Sequence, residues 1–121
     1  DLSRLGLQRI ESELLATARR DVGAVTVEPT LFKYISLIVR RTRDWPALTL
    51  GGSPRATVGL MQTAKAMAAL DGRDYVVPDD IKQAAPAVLR HRLLLKPEAD
   101  LEGITPDRVV AEVLAGVEVP K

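Results

Sequence analysis

The sequence predicts an all-α domain of five helices joined by short extended links. Three observations carry that expectation. Apolar residues return at three- and four-residue spacings in five separate stretches, the period of a helix with one buried face. Proline stands at the expected start of four of those stretches, as Pro29, Pro54, Pro78 and Pro106, where its missing N–H is no loss and its fixed φ suits a helix. The composition is rich in alanine, leucine and valine, with four aromatic residues, Phe32, Tyr34, Trp45 and Tyr75, and no cysteine.

The first helix is expected over about Leu7–Arg20, with Ile10, Leu14, Leu15 and Ala18 on one face. Gly23 and the alternating Val25 and Val27 then suggest an extended link. A second helix runs from about Pro29 to Asp44 and buries Leu31, Ile35, Ile38 and Val39. Arg40, Arg41 and Arg43 crowd its last turn. There they oppose the partial negative charge of the helix end, or they wait for an intermolecular acidic or nucleotide contact. Pro46, Gly51 and Gly52 make the next loop. The third helix spans Ser53 to Leu70, with Ser53 supplying an N-cap oxygen, Pro54 at the first position, and Asp71 with Gly72 as a left-handed stop. Its stripe is Leu60, Met61, Ala64, Met67 and Ala68. The fourth begins at Pro78, with Asp79 and Asp80 in the first turn and Ile81, Ala84, Ala85, Val88 and Leu89 inward; Pro86 should kink or restart it. Residues 90–103 read as irregular, with the trio Leu93–Leu95 followed by the loop "KPEADLEG". Thr105 and Pro106 start the last helix, which buries Val109, Val110, Val113 and Leu114 before Gly116.

The 121 residues fit one domain, 1–121, able to bury roughly two thirds of the surface of its unfolded chain. Absence of cysteine excludes disulfides, thiolate metal sites and cysteine nucleophiles, and suggests the cytoplasm. The apolar runs are too short to cross a bilayer and no signal peptide is evident, so a soluble chain without a membrane partner is expected. Seventeen Lys plus Arg against sixteen Asp plus Glu leave a net charge of +1, which does not favour nucleic acid as a partner. His91 is the single histidine, and Glu98, Asp100 and Glu102 stand without a second ligand cluster, so no metal site is expected. No G-x-x-x-x-G-K-[ST] loop is present, so the chain alone neither binds ATP in the P-loop manner nor acts as an enzyme.

Arg55 is the residue that stands out. At 100° per residue it lies about 180° around the third helix from Ala64 and about 140° from Leu60, so it points away from the core stripe. It adds a unit charge to a helix end that is already positive. That is slightly unfavourable unless an anion arrives. The residues alone leave two readings, an ordinary exposed arginine and an anion site.

The stretch "LGGSPRATVGLMQTAKAMAALDGRDYVVPDDIKQAAPAVLRHRLLL" resembles the C-terminal lid of MoxR-type AAA+ ATPases. The shared pattern is G-A-S-P-R-A, then A-K-A-x-A-x-x-x-G-R-x-Y-V, P-x-D-[IV] and H-R. With "VTVEPTLFKYISLIVRRTRDWPAL" the resemblance covers roughly residues 25–119, while residues 1–24 match only loosely. It implies an AAA+ lid-type bundle in which Arg55 is the sensor 2 arginine, carried on the loop Gly51, Gly52, Ser53 and Pro54 and directed at ATP phosphates, with their magnesium, in a P-loop core outside this chain. It further implies partners: that core, N-terminal in the same polypeptide; neighbouring subunits of a homo-oligomeric ring; and a client complex that the ATPase assembles or activates. Two positions depart from the family. Gly52 replaces the usual alanine and should loosen the approach to Ser53, and Val77 replaces a threonine cap, so the fourth helix should begin less firmly. The alternatives are a helical protein-interaction module, a DNA-binding domain using Arg40, Arg41 and Arg43, and the lid of another AAA+ branch, of magnesium chelatase or MCM type.

Overall fold

A computed structural model describes residues 2–121; Asp1, counted in the expected domain, lies outside the described residues. In chain order the elements are a 3-10 turn (Leu2–Leu5), α1 (Ser12–Gly23), α2 (Pro29–Arg43), β1 (Leu48–Leu50), α3 (Pro54–Leu70), α4 (Pro78–Leu89), β2 (Leu94–Leu95), α5 (Pro97–Leu101) and α6 (Pro106–Gly116). Each of α2 to α6 opens on a proline, so the start signals held. None of these helices is long and apolar enough to cross a membrane.

The expected all-α, five-helix domain is corrected on two counts. Part of the leucine trio read as irregular is a strand: Leu94 and Leu95 pair antiparallel with Leu50 and Leu48 in a two-stranded sheet. Extended segments beside each other satisfy their own backbone donors and acceptors, and three residues are too few to show a period in the sequence. Second, part of "KPEADLEG" forms the single-turn α5, with Pro97 at its first position, Ala99 buried, and Gly103 stopping it at φ +83°. The two extended links were read correctly and turn out to be partners. Thr26 N–H donates to the Asp74 carbonyl at 2.8 Å, and Val76 N–H donates to that of Thr26 at 3.0 Å.

The core lies between α3 and α4, with α2 and α6 packed against them. Ile35, Ile38 and Val39 of α2, Leu60, Ala64 and Ala68 of α3, Ile81, Ala84, Ala85 and Leu89 of α4, and Val109, Val110 and Val113 of α6 are all fully buried. Burying each large side chain contributes about 1.5–3 kcal/mol. The alanines keep the α3 and α4 backbones close. Pro86 neither breaks nor restarts α4, which runs on to Leu89. So near the helix end proline removes one donor only, and its own carbonyl still accepts the Arg90 N–H at 3.0 Å.

The first helix is corrected most. It begins at Ser12, not Leu7, and buries no residue. Ile10, ahead of it, is 70% exposed and Leu14 is 64% exposed. Gly6 sits at φ +64° and Glu11 is extended, so the chain turns before a helix can form, and no packed face extends α1 backwards. The start of α4 also differs from expectation. Val77 offers no cap, yet its N–H donates to the Asp80 carboxylate at 2.8 Å, which fastens the first turn from three residues on.

Candidate functional site

The turn entering α3 is built against the end of α2. Thr42, fully buried on the inner face of α2, donates its hydroxyl to the Val39 carbonyl and accepts the Gly52 N–H at 2.8 Å. Its neighbour Arg43 donates from Nε to the Gly52 carbonyl at 2.7 Å. Both backbone groups of Gly52 are therefore held by adjacent residues of another element. Gly51 fits only as glycine, because a Cβ there would lie 2.5 Å from the backbone of Thr42 and Arg43. The expected looseness at Gly52 is thus corrected. The residue is buried, and a Cβ would stand 3.1 Å from Val39 and 3.2 Å from Ala56.

Ser53 occupies the N-cap with extended backbone, φ −82° and ψ 173°, but its side chain makes no capping hydrogen bond, contrary to expectation. The Ala56 N–H, one of the two donors a cap could take, donates to the Ser53 carbonyl at 2.9 Å instead. Pro54 has no donor, and Ala56 is buried and seats the first turn on the core. Arg55, between them, is exposed. Among the described residues neither its guanidinium nor its backbone N–H has a hydrogen-bond or ion-pair partner. A free cation and a free donor therefore sit together at the positive end of a 17-residue helix. Together they can take an anion that arrives from outside the chain.

Beside this turn is an open cleft of about 700 Å³ walled by Arg43, Leu50, Ser53, His91, Arg92 and Leu94, and Arg55 lies outside its wall. The structure thus brings Gly51, Gly52 and Ser53 together with Arg43 and His91, from the end of α2 and the chain after α4. Arg40 and Arg41 are exposed without partners among the described residues. Of that arginine cluster, Arg43 alone has a contact that concerns the site. Thr42 and Arg92 were not singled out in the sequence. Arg92 entered only as the second residue of the H-R pattern, with no role attached, and a lone threonine in a helix carries no period or motif that would mark it.

At the other end of α3 the charges are satisfied. Gly72, at φ +76°, closes the helix with N–H bonds from Gly72 to Ala69 and from Arg73 to Ala68. Arg73 then grips the Asp80 carboxylate in a fork of 2.7 and 2.8 Å, reaches Asp71 at 3.1 Å and the Tyr75 carbonyl at 3.0 Å. The hydrogen bonds from Arg73 hold the Asp80 carboxyl below its ordinary range, against the desolvation that would raise it, and the Val77 N–H assists. This network joins α3 to α4.

Known proteins resemble the chain as follows. A family model described as AAA lid domain matches residues 40–113. The Bacillus subtilis protein YeaC, itself uncharacterized, is 45% identical over 102 residues, covering 84% of this chain and 32% of the relative. The Mycobacterium tuberculosis chaperone MoxR1 is 42% identical over 79 residues, covering 65% and 20%. Relatives named as magnesium-chelatase subunits match at lower identity. A crystal structure of a proposed ATPase from Cytophaga hutchinsonii superposes with a TM-score of 0.81 at 37% identity, over 85% of this chain and 34% of that one. The chain spans about a third or less of the length of these relatives.

Proposed function

The chain belongs to the AAA lid domain family, and from that premise we propose that residues 1–121 are the lid of a MoxR-like, ATP-hydrolysing AAA+ protein with Arg55 as its sensor 2 residue. The observation that carries the reading is that, among the described residues, neither the Arg55 side chain nor its own N–H has a partner at the start of α3. These groups suit the terminal phosphate of ATP, which supplies the phosphoryl group. Arg55 would neutralise charge on the transferring oxygens and, being part of a rigid helix, would carry the lid with it when it engages. The turn 51–54 holds no carboxylate, so a magnesium ion would have to be held by the P-loop core. The remaining partners follow from the same reading: that core, adjoining subunits of a ring, and a client complex, in the cytoplasm.

The test is steady-state ATP hydrolysis by the full-length protein, wild type against Arg55→Ala, with folding checked by circular dichroism. We expect turnover to fall by about 10²-fold or more with the fold intact. Equal rates would overturn the reading. They would favour the interaction-module alternative, which has one observation of its own, the exposed apolar residues Ile10 and Leu14 at α1.

A further inference from the structure

We infer that Thr42 and Arg43 are the positioning residues of Arg55, holding the turn that aims it; the inference rests on the sensor reading above. Three observations point the same way. Gly52, three residues ahead of Arg55, has its N–H bonded by Thr42 and its carbonyl by Arg43, so one peptide-length of turn is fixed at both ends by adjacent side chains of α2. Gly51 presses directly on the backbone of those same two residues, which leaves the turn no room to shift towards α2. Ser53 makes no capping bond, so the ordinary local device that fixes the entry of a helix is absent. The clamp from α2 stands in its place.

The clamp is specific in its chemistry. Thr42 uses one hydroxyl twice, giving its proton to Val39 and receiving the Gly52 N–H, so valine, of the same shape, would leave that buried N–H unpaired while keeping the packing. Arg43 uses Nε, an inner atom of the guanidinium, which lysine does not possess. Arg55 itself makes no hydrogen bond or ion pair with either residue. Its direction is inherited through Gly52, Ser53 and the buried Ala56. A displacement of about 1 Å at a charged group in a transferring-phosphate site is enough to reduce rate by up to 10²-fold.

The experiment measures kcat and KM for ATP with the full-length protein in wild type, Thr42→Val, Thr42→Ser, Arg43→Lys and Arg55→Ala, and in Thr42→Val combined with Arg55→Ala. We expect Thr42→Val to lower kcat by roughly tenfold with KM little changed, Thr42→Ser to restore it, and Arg43→Lys to lower kcat by about threefold. In the Arg55→Ala background Thr42→Val should change kcat by less than about twofold, because a positioning residue has nothing left to position. A penalty of equal size in both backgrounds overturns the inference by showing a merely structural role. So does wild-type turnover in both Thr42→Val and Arg43→Lys while Arg55→Ala is crippled. If Thr42→Val does not fold, Arg43→Lys in the two backgrounds decides by the same criterion, since Arg43 is exposed and lysine keeps the charge. Full activity in Arg55→Ala instead removes the sensor reading underneath.

Discussion

The two ends of α3 carry one arginine each and treat it in opposite ways. At the C-terminal end, Arg73 spends its donors on Asp80, Asp71 and the Tyr75 carbonyl, and its charge lies where the helix end is partially negative. At the N-terminal end, Arg55 has no partner among the described residues, and its charge is added to an end that is already positive. One arginine is answered within the chain and the other is left open. The backbone shows the same division. The closing turn satisfies its carbonyls through Gly72 and Arg73, whereas the opening turn is held from α2 and leaves the Arg55 N–H without a partner among the described residues. Arg73 is paired through four of its five N–H donors and holds the fold, whereas Arg55, with no partner among the described residues, is the arginine proposed to meet something from outside.

The largest effect expected on stability is at the answered end. Asp80→Ala removes the acceptor of the Arg73 fork and unpairs the Val77 N–H, with an Asp80 side chain only 6% exposed. It should cost about 2 kcal/mol, read as a Tm lower by roughly 5–10 °C. A change within a degree would show that the network adds nothing and would dissolve the contrast between the ends. A pH series sharpens the same point with a smaller effect. Because pairing lowers the Asp80 pKa in the folded state, its contribution is present above the unfolded value of about 3.9 and is lost as pH falls through the folded one. The stability gap between wild type and Asp80→Ala should therefore be widest near neutrality and narrow below about pH 4, measured by denaturant unfolding from pH 2.5 to 7. A gap constant with pH would mean that the carboxylate charge is irrelevant.

What the sequence revealed follows the same division between local and distant causes. The buried faces of α2, α4 and α6, the Gly72 stop and the Thr105 cap were legible because each is written within a few neighbouring residues; the Arg108 N–H does donate to Thr105 Oγ1 at 3.1 Å. The face of α1 was misread because an apolar period says that a helix has something to bury, not that this chain supplies the partner. The grip of Thr42 on Gly52, ten residues along, and of Arg73 on Asp80, seven along, joins elements whose relative placement no period encodes. Arg55 could be picked out as a candidate because its oddity is local, a cation where the helix already supplies positive charge. The turn before it was named as well, but the hold of Thr42 and Arg43 on that turn was not legible, since Ser53 looked sufficient for that task and Gly52 looked loose.

The smallest effect expected has the opposite sign and tests the open end. In the chain without ATP, Arg55→Ala deletes a cation from the positive end of α3 and breaks no hydrogen bond or ion pair among the described residues. Alanine is also the better helix former. Stability should stay level or rise by a few tenths of a kcal/mol, and adding salt should shrink the difference by screening the arginine's charge against the helix end. Urea unfolding of both forms at low and moderate ionic strength measures this. A loss near 1 kcal/mol would mean that Arg55 has a structural partner, and the two ends of α3 would then differ in degree and not in kind. A level or raised stability, beside a large loss of turnover in the full-length protein, is the combination expected of a residue kept at a standing cost to the fold for the sake of a ligand.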